Sequence, residues 1–343
     1  MAIKRYYAKF DNTITNAYEE NLTTRGTGSN MGASDILEVF SIYAQASTSS
    51  SEEARTLINF STTASAGSIQ SDRTAGAIPA SGSVSFYLRL FNAPHGQTLP
   101  KSYTMDVSAI SGAWTEGTGL DMEGYKDKAN SNWTNSVSGT AWATAGGDYY
   151  TDTSSSFTAS FDDGTEDIEL DITTLVEQWL TGSKSDNGVG VFISSTYQVA
   201  LRSYYTKKFF ARGTEFFFKK PAIEARWDSS IEDDRGNYYY SSSLATGEEN
   251  LNTLYLYNYF RGRLRDIPAA GTGSIYVSLF SGSAADTAPS GSPLLLVVDG
   301  VHVTAAARNT VMTGSWTSTG IYSASCALTA AATPVAKIGR AHV

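Results

Sequence analysis

A chain of 343 residues, 41% hydrophobic and 12% aromatic, has enough apolar side chains for a sizeable core and room for two domains. A net charge of −9 disfavours nucleic-acid binding through the phosphate backbone, which needs a basic face. One cysteine, Cys326, excludes an intrachain disulfide framework, and His95, His302 and His342 are too scattered for a zinc site built on imidazoles.

The opening MAIKRYYAKF is basic without an apolar core, and no run of about 18 apolar residues follows, so neither a secretory signal nor a membrane-inserted helix is expected. Asp11–Gly32 reads as a first strand and a long Gly-rich turn. Leu37, Val39 and Ser41 alternate with Glu38, Phe40 and Ile42. In Ala54–Phe60, Thr56, Ile58 and Phe60 share one face. The serine run at 47–51 between them is a loop tip. Ser83–Leu90 has the clearest alternation, with Val84, Phe86, Leu88 and Leu90 facing one way. Tyr103–Val107 is a further short strand.

The segment 113–147 is long, Gly- and Ser-rich, and holds Trp114, Trp133 and Trp142. Loops of this length are usually functional or packed on themselves. Buried, each indole would pin the loop, hiding about 150–250 Å². Exposed, Trp114, Trp133 and Trp142, with Tyr149 beside them, are candidate platforms for sugar rings.

Asp171–Ile193 carries the most specific local signal. Asp171 is placed to cap a helix. Ile172, Leu175, Val176 and Trp179 form one apolar stripe, and Gly182 can take the left-handed turn that stops it. Ile168 and Leu170 before it, and Val189, Val191 and Ile193 after the Asn187-Gly188 turn, alternate as strands. A single short helix isolated among strands suits a cap on a β-sandwich.

These pieces occur in a recognisable order: R-x-L-I-x-F at Arg55–Phe60, the Ser83–Leu90 strand, W-T-E-G at Trp114–Gly117, Trp133, W-x-x-x-G-G-D at Trp142–Asp148, D-I-T-x-L-V-x-x-W-L at Asp171–Leu180 and N-G-V-G-V at Asn187–Val191. Over residues 10–205 the chain resembles the DNRLRE (disaggregatase-related repeat) domains. That resemblance implies a jelly-roll β-sandwich akin to carbohydrate-binding modules, and some relatives bind polysaccharide.

Beyond Tyr204 the texture changes. Arg202, Lys207, Lys208, Arg212, Lys219, Lys220 and Arg226 interleave with aromatic residues including Phe209, Phe210 and Phe216–Phe218. This reads either as a docking surface for an acidic partner or as a strand pair with an aromatic inner face and solvated charges. Asp228, Asp233 and Asp234, with Glu232, either neutralise that stretch or hold a cation such as Ca²⁺, the one cofactor the residues suggest, without EF-hand spacing. Further strands are expected at 253–260, where four hydroxyl-bearing residues (Thr253, Tyr255, Tyr257, Tyr259) share a face suited to assembly contacts, at 275–280, and at the apolar run Leu294–Val298. The combination of ARWDSSIEDDRGN, NLNTLYLYNYFRGRLRDIP, IYVSLFSGS and GSWTSTGIYSAS resembles a recurrent virion-protein module of tailed phages. Ile338–Val343, IGRAHV, matches a reading frame of a sequencing adapter, so an artificial, truncated C-terminus is expected.

No G-x-S-x-G elbow, phosphate loop or H-E-x-x-H occurs. Paired carboxylates for glycoside hydrolysis exist only as candidates, Glu116, Asp121 and Glu123 or Asp162, Asp163 and Glu166, and an enzyme is not expected. The expectation is an all-β chain. A jelly-roll domain with one short capping helix occupies 1–205, and a smaller β-sandwich-like domain occupies 206–343. The role expected is that of a non-enzymatic phage virion component, made in the host cytoplasm. Its partners would be other virion proteins, further copies of itself and host surface glycans, with no nucleic acid and no membrane insertion. A secreted polysaccharide-binding protein is the alternative.

Overall fold

The computed structural model describes residues 2–63, 66–96, 100–120, 125, 127–198, 201, 204–227, 233–236, 238–281, 291–298, 308–328 and 339–342. The chain is all-β, in two compact units, Met1–Ser229 and Ser230–Val343.

The first unit is built on β1 (Ala2–Thr15). Its opening residues, Ala2–Tyr7, pair with β12 (Ala222–Trp227), and Ala8–Thr15 pair with β3 (Ser51–Phe60). The register shifts between Ala8 and Phe10, so a bulge lets one strand serve two layers. On one side of the bulge, β12 continues to β4 (Ser85–Leu90) and β9 (Ile168–Asp171). On the other, β3 continues to β10 (Val189–Ile193), β5 (Tyr103–Ala109) and β8 (Ser156–Phe161). A further arm runs from β3 through β2 (Ile36–Tyr43) to β11 (Tyr204–Phe210).

One buried cluster joins the inner faces of both layers. Phe86, Leu88, Leu90, Ile223 and Ala225 meet Ile58, Met105, Val107, Val189 and Val191 there. This is a sandwich, and the alternation of Val84–Leu90 is what aims each apolar residue inward.

The helix α2 spans Thr173–Thr181 and presses Leu175, Val176 and Trp179 into the same cluster. Gly182 ends it at φ 74°. Asp171 performs the expected service from one position further out. The half-in residue is Ile172, and the Asp171 carboxylate accepts from the Thr173 N–H at 2.9 Å. Two more short helices flank the sandwich, α1 (Ile69–Thr74), capped by Ser68, and α3 (Ser195–Gln198), so the expectation of a single helix is corrected.

The unit runs beyond residue 205 because β12 is an interior strand between β1 and β4. The expected pairing within the basic stretch is also corrected. β11 pairs with β2 and β12 with β1 and β4, so they sit in different layers.

In the second unit a five-stranded antiparallel sheet runs β13 (Asn252–Tyr257), β20 (Ile321–Cys326), β19 (Met312–Ser318), β16 (Ile275–Ser281), β21 (Gly339–His342). Small two-stranded pairs join it, β14 (Tyr259–Phe260) with β15 (Arg263–Leu264) and β17 (Leu296–Val297) with β18 (Arg308–Asn309). Its core gathers Leu254, Ile275, Val277, Leu279, Met312, Tyr322 and Cys326. The opposite face shows Tyr257, Tyr276, Thr313 and Ser315 to water. Leu294–Val298 is not a central strand: only Leu296 and Val297 are buried, while Leu294 and Leu295 are exposed.

Candidate functional site

The tryptophan-rich segment 113–147 folds onto the sandwich as a second small core. Trp133 and Trp142, 8% and 5% exposed, pack with Ile14, Leu57 and Ile110, and Trp114 and Tyr149 close the cluster. The Trp142 indole N–H donates to the Asn132 carbonyl and that of Trp114 to the Asn187 carbonyl. The Tyr149 hydroxyl donates to the Gly146 carbonyl, and burial pushes its pKa up to about 12. The W-x-x-x-G-G-D spacing has a local cause. Asp148 accepts from the Ala143 and Thr144 N–H groups and closes the turn. Gly146 and Gly147 take positive φ where a Cβ would meet the rings of Trp133 and Tyr149. A stacking platform needs an open ring face, which Trp133 and Trp142 do not offer, so these two are corrected to packing residues, while Trp114 and Tyr149 are half-buried at the edge of the cluster.

Glu116, Glu166, Asp233 and Asp234 among the acidic candidates are also engaged. Glu116 holds Arg212 through both carboxylate oxygens and accepts from the Asp11 N–H. One Glu166 oxygen accepts from the Asp162 and Asp163 N–H groups. Asp233 accepts from the Tyr255 N–H and Asp234 from the Thr253 N–H, so both carboxylates pin the segment before β13 to that strand rather than face a shared cavity. Among the described residues no cluster of three metal-ligating side chains occurs. Asp121, Glu123, Arg202, Asp228 and Glu232 lie outside the described residues.

Lys207, expected among solvated charges, is fully buried instead. Its ammonium donates to Asn92 Oδ1, the Gly164 carbonyl and the Glu166 carbonyl at 2.7–2.9 Å, using all three protons. Burial lowers its pKa to about 8.

A different place offers an open binding surface. On the outer face of β12 and β4, register sets Arg226 opposite Ser85 and Glu224 opposite Tyr87. Arg226 lies over the Tyr87 ring at 4.2 Å from its centroid and bonds to Glu224 and Glu169. Glu224, 2% exposed, is also held by Arg5 at 2.7 Å, and its pKa is lowered. Burial alone would raise it; the hydrogen bonds and charges of Arg5 and Arg226 outweigh that.

At the end of this lattice a groove of about 510 Å³ is lined by Gly82, Ser83, Val84, Ser85, Tyr87, Arg226 and Trp227. Its size lies within the range of small-ligand sites. It combines the half-buried Tyr87, the edge of Trp227, whose ring also packs on the sandwich core, a rigidly held guanidinium and the hydroxyls of Ser83 and Ser85, which donate to no group among the described residues. Three of the five guanidinium N–H groups are taken by carboxylates, leaving two as donors. Such an arrangement can stack a ring and hydrogen-bond its hydroxyls. Sequence reasoning missed it because its walls come from strands far apart in the chain. The alternation of Ser83, Ser85 and Tyr87 was the one legible hint. No protein-family model matches the chain, and no curated protein matches it.

Proposed function

We propose that the chain is a non-enzymatic structural component of a phage particle whose first unit binds a glycan through the groove of Ser83, Ser85, Tyr87, Arg226 and Trp227. The groove is the observation that carries the binding half of this reading. Aromatic surface, a fixed planar donor and free hydroxyls are what a saccharide needs. The carboxylates beside it favour binding over hydrolysis, since Glu224 and Glu169 are tied to arginines and Asp171 to the helix start. The resemblance of residues 10–205 to DNRLRE domains supports the binding half, and the resemblance of the later segments to a tailed-phage virion module supports the particle half. A secreted polysaccharide-binding protein is the second reading, favoured by the same groove.

A glycan array and a polysaccharide pull-down test the binding. The wild type should retain at least one acidic or neutral polysaccharide. Tyr87→Ala should weaken retention about tenfold, the order expected for losing one aromatic contact of roughly 1.5 kcal/mol. No retention of any glycan by the folded wild type would remove the binding half. Mass spectrometry of purified particles should find the chain; its presence only in particle-free medium would favour the second reading.

A further inference from the structure

The connection between β11 and β12 crosses from one layer to the other along the outside of β1. The Arg212 N–H donates to Asp11, the Pro221 carbonyl accepts from the Ala8 N–H, and Ala222 pairs with Tyr7. Its tip is a single 3₁₀ turn that leaves Phe216, Phe217 and Phe218 in water, 51%, 53% and 72% exposed. The rings stay together. Phe217 lies 4.7 Å from Tyr7 and 5.5 Å from Phe218, and Phe216 lies 5.5 Å from Phe210. Lys219 sits 4.8 Å from the Phe210 ring, Lys220 5.9 Å from Phe217, and Lys9 4.9 Å from the exposed Phe10. None of these three ammonium groups has a carboxylate within salt-bridge distance among the described residues, whereas the neighbouring Lys4 and Arg5 do. A contiguous aromatic patch rimmed by unpaired cations marks a face that something covers.

We infer that a second copy of this chain covers it, the aromatic tip and Lys9, Lys219 and Lys220 of one copy seating on the acidic loop Asp162–Asp167 of the next. Charge complementarity identifies the occupant. That loop carries Asp162, Asp163, Glu166 and Asp167 in six residues, on a chain with 34 acidic against 25 basic side chains. Asp162 and Asp163 are exposed and paired with no cation among the described residues. The loop is also preordered. Lys207 holds its Gly164 and Glu166 carbonyls from beneath, Glu166 bridges two of its N–H groups, and Asp167 accepts from the Asn92 N–H. Little ordering entropy is then lost on contact. The two patches differ, so the contact is heterologous and propagates head to tail. An anionic bilayer would be repelled by the same acidic loop and by the excess negative charge.

This inference supplies the assembly contact of the particle reading and is independent of glycan capture. Light scattering on the full chain tests it. The average mass should rise with concentration and return to that of a monomer in 1 M salt, where screening shortens to about 3 Å. Lys219→Glu/Lys220→Glu and Asp162→Lys/Asp163→Lys should each be monomeric with unchanged circular dichroism, and so should Phe217→Ser/Phe218→Ser. Mixing the two charge-reversed proteins should restore association, because each presents the complement of the other. A wild type that is monomeric at every concentration overturns the inference, as does a mixture that stays monomeric. Sedimentation of the monomeric wild type with phosphatidylserine vesicles, lost in Lys219→Glu/Lys220→Glu, would assign the face to lipid instead. If the wild type self-associates as described but is absent from particles, only the particle reading fails.

Discussion

Asp11 is a carboxyl group that makes the fold sensitive to pH. It is 1% exposed and accepts the Arg212 N–H. Burial is the largest influence on it and raises its pKa from 3.8 to about 7; the charge of Glu116 adds to the rise, while Arg212 and Lys220 oppose it. A raised pKa means the folded state holds the extra proton, so this contribution to stability is complete below pH 3.8 and is lost as pH climbs through about 7. The unfolding free energy of the wild type, from urea titrations, should therefore fall between pH 4 and pH 7.5 by an amount on the order of 2 kcal/mol, and Asp11→Asn should flatten that slope. Neither Asp11 nor Lys207 was legible as a buried group. A sequence shows a charge but not the acceptors that make its burial affordable, and those of Lys207 come from Asn92, Gly164 and Glu166.

Among the elements, α2 and its flanking strands were readable because a single period governs each. The stripe at Ile172, Leu175, Val176 and Trp179 is buried throughout. Trp179→Ala should cost about 3–5 kcal/mol in chemical denaturation. Trp179→Phe should cost much less, since the indole N–H has no acceptor among the described residues and its removal forfeits no hydrogen bond. A loss under about 1 kcal/mol for the alanine variant would contradict the packing described. The first half of β1 was not readable. Ile3, Arg5 and Tyr7 alternate with Lys4, Tyr6 and Ala8, so apolar and basic residues fall on both faces, and only Tyr6 and Ala8 are buried. The groove was hidden for a related reason: Tyr87 and Trp227 line it together only because β4 pairs with β12.

At the scale of the whole molecule, composition and turn spacing were enough for two β units, because each needs its own alternating strands around a core. The boundary at 205 was placed by texture, and texture does not register that a late basic strand completes an early sheet. Residues 1–229 expressed alone should unfold in one cooperative calorimetric transition, and a fragment ending at 205 should not, because it lacks the strand between β1 and β4. The bulge that lets β1 belong to both layers also orders events at the ribosome. Ala2 is made long before Trp227, its partner. One layer stays open until nearly the entire first unit has emerged, leaving the first half of β1 without its partner for most of synthesis, so slow folding is expected of this topology.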